Sequence, residues 1–222
     1  MAPFRIPHSG LTGTLQLSIP LSPFAVIVAS LVRLTYSSPM RRILPMAALQ
    51  FLLCFSAHAA QQPPSAEEVM ATAKSEAVAE HKPIFLVFGA SWCPPCRQME
   101  VFIGDQKIRP ILEKYFVIAT LHVLEQRGKH PELNSPGSEK LLGDYGGESM
   151  GVPFIVFADD HGQLIINSNR PVKSKSAGEN VGYPALPVEI DWFMSMLKRT
   201  VPTLPKADAD TIENWLRRAS SR

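Results

Sequence analysis

The first 66 residues contain no acid; the earliest carboxylate is Glu67. Their only fixed charges are Arg5, Arg33, Arg41 and Arg42. The net charge of +2 therefore hides an uneven distribution. Setting those four arginines aside leaves 18 of the 22 basic residues against all 20 acids, a balance of −2. That argues against nucleic acid as a partner, because such a surface carries a basic stripe. Long apolar runs are also missing. Ile43 to Phe55 is a mostly apolar run of 13 residues, short of the ~20 that a membrane-spanning helix needs. At 45% hydrophobic content the chain is ordinary for a globular protein and too polar for a polytopic membrane protein. Cysteine is scarce, with three in 222 residues.

What the leader does contain is ordered. Met40-Arg41-Arg42 precedes the apolar run, and Ser56-Ala57-His58-Ala59-Ala60 follows it. A positive start, a short apolar core and small residues in A-x-A spacing form the pattern of a secretory signal, with cleavage expected after Ala59. An uncleaved signal anchor is the alternative, and the one route by which a membrane would be involved. Lipidation at Cys54 is disfavoured, because Leu53 stands where such a signal wants a small residue. Residues 1–39 read as a spurious upstream extension with Met40 the true start. An acid-free organelle transit peptide ranks second. On this reading 40–59 is the signal, 60–65 a linker, 66–200 the main domain and 201–222 a helical extension.

If Cys54 leaves with the signal, Cys93 and Cys96 are the two cysteines of the mature chain. A structural disulfide gains stability by closing a long loop, and a C-x-x-C ring closes a short one. Structural zinc needs four ligands, and the sequence offers neither a second cysteine pair nor a nearby H-x(3–5)-H. No metal and no cofactor are therefore expected.

Local patterns set the element order. Ser65 stands three residues before Glu68, a capping-box spacing that opens a helix running to about Glu80. Ile84-Phe85-Leu86-Val87-Phe88, between Pro83 and Gly89, reads as a strand buried on both faces. Cys93 to about Ile103 forms the next helix, with Pro94 and Pro95 in its first turn, where a missing N–H is harmless. Asp105–Lys114 continues it or forms a second short helix. Phe116–Leu124 is a strand, 125–137 a loop, and Ser138–Tyr145 a short helix opened by Ser138. Phe154–Phe157 and Gln163–Asn169 make a hairpin around Asp159-Asp160-His161-Gly162. Residues 170–186 read as an exposed loop. Val188–Arg199 is amphipathic through Ile190, Phe193, Met194 and Leu197, and Ala207–Arg218 is a final helix bearing Ile212, Trp215 and Leu216. This alternation implies an α/β fold in three layers, a mixed central sheet with helices on both faces.

Phe88-Gly89-Ala90-Ser91-Trp92-Cys93-Pro94-Pro95-Cys96 resembles the active site of the thioredoxin superfamily, and Gly151-Val152-Pro153-Phe154 resembles that family's cis-proline loop. The likeness covers roughly 66–200, and Lys82-Pro83 before the strand is similar to exported bacterial members. It implies thiol–disulfide exchange. Cys93, at a helix N-terminus, is the expected nucleophile, and Cys96 resolves the mixed disulfide. Val152 and Pro153 are expected beside the sulfurs to receive an extended substrate strand, with Trp92 at the rim. The expected partners are protein thiols and disulfides and an upstream electron donor. Pro94 and Pro95 supply neither a cation nor an N–H to the thiolate, which implies a reducing couple rather than a strongly oxidising one. The family usually buries an Asp six residues before the first cysteine, and Val87 stands there. Glu100, one turn after Cys96, is a candidate proton acceptor in its place. A Cu(I) carrier using the cysteines with Met99, His122 or Met150, or a binding module without turnover, are the rival readings.

Overall fold

The computed structural model describes residues 62–220 except Ser174, within the unit Ala60–Arg222. The leader readings, including the cleavage position and Cys54, lie outside the described residues. Helix α1 (Ala66–Glu80) starts as its spacing predicts: Ser65 and Glu68 form a reciprocal capping box. Strand β1 (Ile84–Gly89) is buried at all six positions. Helix α2 (Pro94–Gly104) begins at Cys93 as its cap. A separate helix, α3 (Arg109–Tyr115), follows, and strand β2 (Val117–His122) lies parallel to β1. Helix α4 (Ser138–Asp144) leads to strands β3 (Phe154–Ala158) and β4 (Leu164–Asn167). Both pairings of β3, with β1 and with β4, are antiparallel. The sheet order is β2-β1-β3-β4, so the expected mixed sheet with parallel crossover and antiparallel hairpin is present. Helices α5 (Pro187–Thr200) and α6 (Lys206–Ser220) close the described chain.

Strand residues alternate between two cores, as the period of two requires. Phe85 and Val87 of β1 and Ile155 and Phe157 of β3 pack with Met99, Phe102, Phe193 and Leu216 on one face. Ile84, Leu86 and Phe88 meet Met70, Ala73 and Ala77 of α1 and Leu142 of α4 on the other. The final helix is part of the first core: Ile212 and Leu216 are buried, and the Trp215 ring lies 5.2 Å from that of Phe102.

Four expectations change. The 170–186 loop contains an antiparallel ribbon, β5 (Asn169–Val172) and β6 (Lys175–Asn180). Its residues carry no apolar alternation. Cross-strand contacts such as Arg170–Glu179 at 3.0 Å help to hold it instead. Gly178 permits its bulge: φ is +76°, and a Cβ there would meet the Arg170 carbonyl oxygen at 2.8 Å. Segment 125–137 folds into two 3₁₀ turns, Glu125–Gly128 and Pro131–Leu133. Ser138 does not cap α4. Gly137 holds that position in the left-handed region, and Ser138 Oγ donates to the His122 carbonyl at 2.8 Å. Within α5, Met196 is buried and Met194 only partly so.

Candidate active site

The strand-to-helix turn after β1 carries the cysteine pair. Cys93 is extended (φ −91°, ψ 110°), which lets its side chain turn back over the first turn of α2. Its Sγ accepts the Cys96 N–H at 3.2 Å. The two sulfurs are joined in a disulfide, with Cα atoms 5.3 Å apart. Each cysteine is 2% exposed. Cys93 Sγ also lies 3.3 Å from the Val152 carbonyl oxygen, 59 residues on. The Val152-Pro153 peptide is cis. Ala90, Cys93 and Cys96 form a small apolar cluster on which Trp92 and Val152 pack. Four residues singled out from the sequence (Trp92, Cys93, Cys96 and Val152) thus come together, with buried Pro153 adjacent. Pro94 and Pro95 are exposed on the first turn of α2.

Trp92 is fixed from behind. Its Nε1 donates to the Leu124 carbonyl at 2.8 Å, and the indole covers Gly128. A Cβ at Gly128 would meet Trp92 Cδ1 at 2.6 Å, so this contact requires glycine.

Other sequence candidates are placed elsewhere. Glu100 is exposed on α2. Val87 packs in the core with Phe85 and Met99, so an apolar contact occupies the position where the family usually keeps an acid. The three residues of the copper reading are not gathered at the sulfurs: Met99 is in that core, Met150 packs against the opposite one, and His122 contacts Glu125.

One residue that holds the cysteine turn carries no mark in the sequence. Glu125 is fully buried, yet it opens a segment rich in polar residues, and no local pattern marks it. Its carboxylate accepts the Ser91 N–H and the Ser91 hydroxyl, each at 2.7 Å. The His122 ring meets it at 3.0 Å through Nδ1. Burial pushes this carboxyl up. The hydrogen bonds from the Ser91 hydroxyl and amide and from His122 outweigh burial and hold it below the usual carboxylate range. Glu125 thereby anchors the turn that carries Trp92 and Cys93 to the segment behind it. Only the pairing of Ser91 with Glu125 across 34 residues reveals this.

The model of a family described as "Thioredoxin-like domain" matches residues 70–169, the stretch that contains the cysteine turn, the Val152-Pro153 loop and all four strands of the sheet. That stretch is similar to a thioredoxin-like domain, and the mixed sheet β2-β1-β3-β4 with its helices is a thioredoxin-like α/β fold. No curated protein matches it. Among solved structures, a disulphide isomerase from Xylella fastidiosa Temecula1 is 24% identical over 49% of this chain and 80% of that one, with TM-score 0.37. A structure named DsbH Oxidoreductase is 18% identical over 76% and 96%, with TM-score 0.36. The oxidised DsbD C-terminal domain of Neisseria meningitidis is 19% identical over 48% and 84%, with TM-score 0.34. These likenesses are low. A thioredoxin-like domain with a joined C-x-x-C pair supports a thiol–disulfide oxidoreductase. No helix among the described residues is long and apolar enough to cross a membrane.

Proposed function

We propose that this domain reduces disulfides in exported proteins through Cys93 and Cys96. The observation that carries the reading is the position of the Cys93 sulfur: at the N-terminus of α2, accepting the Cys96 N–H, and against the Val152 backbone. Helix-end N–H groups and the helix dipole favour a thiolate there.

In the reduced domain the Cys93 thiolate attacks one sulfur of a substrate disulfide. A Cys93–substrate bond forms, and the other substrate sulfur leaves as a thiolate and takes up a proton. Cys96, after giving its proton to water, attacks the Cys93 sulfur and expels the second substrate sulfur. The substrate gains two electrons and two protons, and the domain is left with the Cys93–Cys96 disulfide. An upstream dithiol donor reverses these steps. Water is the acceptor for Cys96 because Val87 carries no proton site and the Glu125 carboxylate is committed to Ser91 and His122. Trp92 forms part of the substrate rim, and Val152 and Pro153 receive the substrate backbone. Pro94 and Pro95 add no donor to the thiolate and tilt the couple towards reduction. The signal pattern in 40–59 motivates the extracytoplasmic assignment. The thioredoxin-like unit extends over 66–200, with 201–222 as its extension.

The test is turnover and trapping. Wild type reduces insulin with a dithiol donor, and Cys93→Ser does not. Cys96→Ser accumulates mixed disulfides at Cys93 that mass spectrometry identifies. Insulin reduction that survives Cys93→Ser, or a Cys96→Ser variant that traps no protein, contradicts the proposal.

A further inference from the structure

The exchange steps leave the β5–β6 ribbon without a task. The ribbon ends at Asn180, whose side chain reaches the loop facing Cys93. Asn180 Nδ2 donates to the carbonyl oxygens of Gly151 at 2.7 Å and Pro153 at 3.1 Å. These carbonyls flank Val152, the residue whose own carbonyl lies 3.3 Å from Cys93 Sγ. The other end of the amide is also occupied. Asn180 Oδ1 accepts from the Ser168 hydroxyl at 2.6 Å and from the Gly182 N–H at 3.1 Å. Ser168 is fully buried. Its hydroxyl accepts the Ile155 N–H at 3.0 Å, and its carbonyl accepts the Val181 N–H at 2.9 Å.

One carboxamide therefore joins the ribbon, strand β3 and the Val152 loop. The chemistry needs an amide, because the same group must donate to two carbonyls and accept from a hydroxyl and an N–H. The loop also lines a cleft with Pro95 and Gln98 of α2 and with Tyr183 and Leu186 beyond the ribbon. Val152, whose carbonyl oxygen lies 3.3 Å from Cys93 Sγ, is part of its wall.

We propose that Asn180 is a positioning residue for protein disulfides: it holds Gly151–Pro153 so that Val152 can pair with an extended stretch of substrate polypeptide lying in this cleft. The proposal rests on the reading of the domain as a protein-disulfide oxidoreductase. A small aromatic disulfide needs only the Cys93 sulfur, whereas a polypeptide also needs the loop, and that difference separates positioning from general damage.

The test uses the full chain with Asn180→Asp. This change keeps the shape and the two accepted bonds, removes both donated bonds, and sets a carboxylate against two carbonyl oxygens. The expected result is a fall in kcat/KM for insulin of about tenfold. The rate with 5,5′-dithiobis(2-nitrobenzoate) stays within about twofold. Amide hydrogen exchange at 151–155 speeds up about tenfold, with β1 unchanged. Equal losses with insulin and the small disulfide, or unchanged exchange at 151–155, overturn the proposal. Wild type that reduces no insulin would fail the parent reading. The exchange comparison still decides the clamp: faster exchange at 151–155 supports it and unchanged exchange refutes it.

Discussion

Replacing Glu125 by glutamine keeps its shape and removes its charge. The buried carboxylate accepts two hydrogen bonds from Ser91, and a glutamine must turn an NH₂ towards one of its partners. The expected loss at neutral pH is about 1–3 kcal/mol of unfolding free energy, the cost of a buried polar group left mismatched. The pH dependence has a definite sign. The folded-state carboxyl titrates below its ordinary value, so its contribution is present above the unfolded value, about 4.3. It is lost as pH falls through the folded value. Urea denaturation of wild type and Glu125→Gln across an acid series checks this. The gap between them should be constant above about pH 5 and narrow below it. A gap that stays the same into acid would show that the charge is not what stabilises the turn.

At the scale of elements, α6 braces the helix that carries Cys96. Leu216 is fully buried, and Trp215 lies against Phe102 of α2. Leu216→Ala should cost about 2–5 kcal/mol, the range for truncating a buried leucine. A loss below about 0.5 kcal/mol, typical of exposed sites, would mean that α6 is not docked in solution. Elements with local signals were legible in the sequence. The Ser65–Glu68 capping box, the all-apolar β1 between Pro83 and Gly89, the prolines in the first turn of α2 and the turn at Asp159–Gly162 each need only neighbours in the chain. The site was legible to the same extent: Cys93 and Cys96 share a turn, and the glycine and proline around Val152 mark its loop. Features held by distant partners were not legible. Ribbon β5–β6 has no apolar alternation and is held by polar pairing such as Arg170 with Glu179. Ser138 looks like a cap but spends its hydroxyl on His122. Glu125 and Asn180 sit in polar stretches, and their partners lie far off in sequence.

At the scale of the whole molecule, an acid-free, arginine-bearing N-terminal sequence precedes a weakly acidic sequence that holds the one joined cysteine pair among the described residues. On the proposed function this pair cycles reversibly and lies on the reducing side, since neither Pro94 nor Pro95 supplies a donor to the Cys93 thiolate. Equilibration of the chain in glutathione buffers of graded ratio, followed by alkylation and mass spectrometry of the Cys93–Cys96 peptide, measures that directly. The expected result is a single two-electron transition nearer to about −270 mV than to about −120 mV. A pair that never re-forms its disulfide, or a midpoint near about −120 mV, would contradict it.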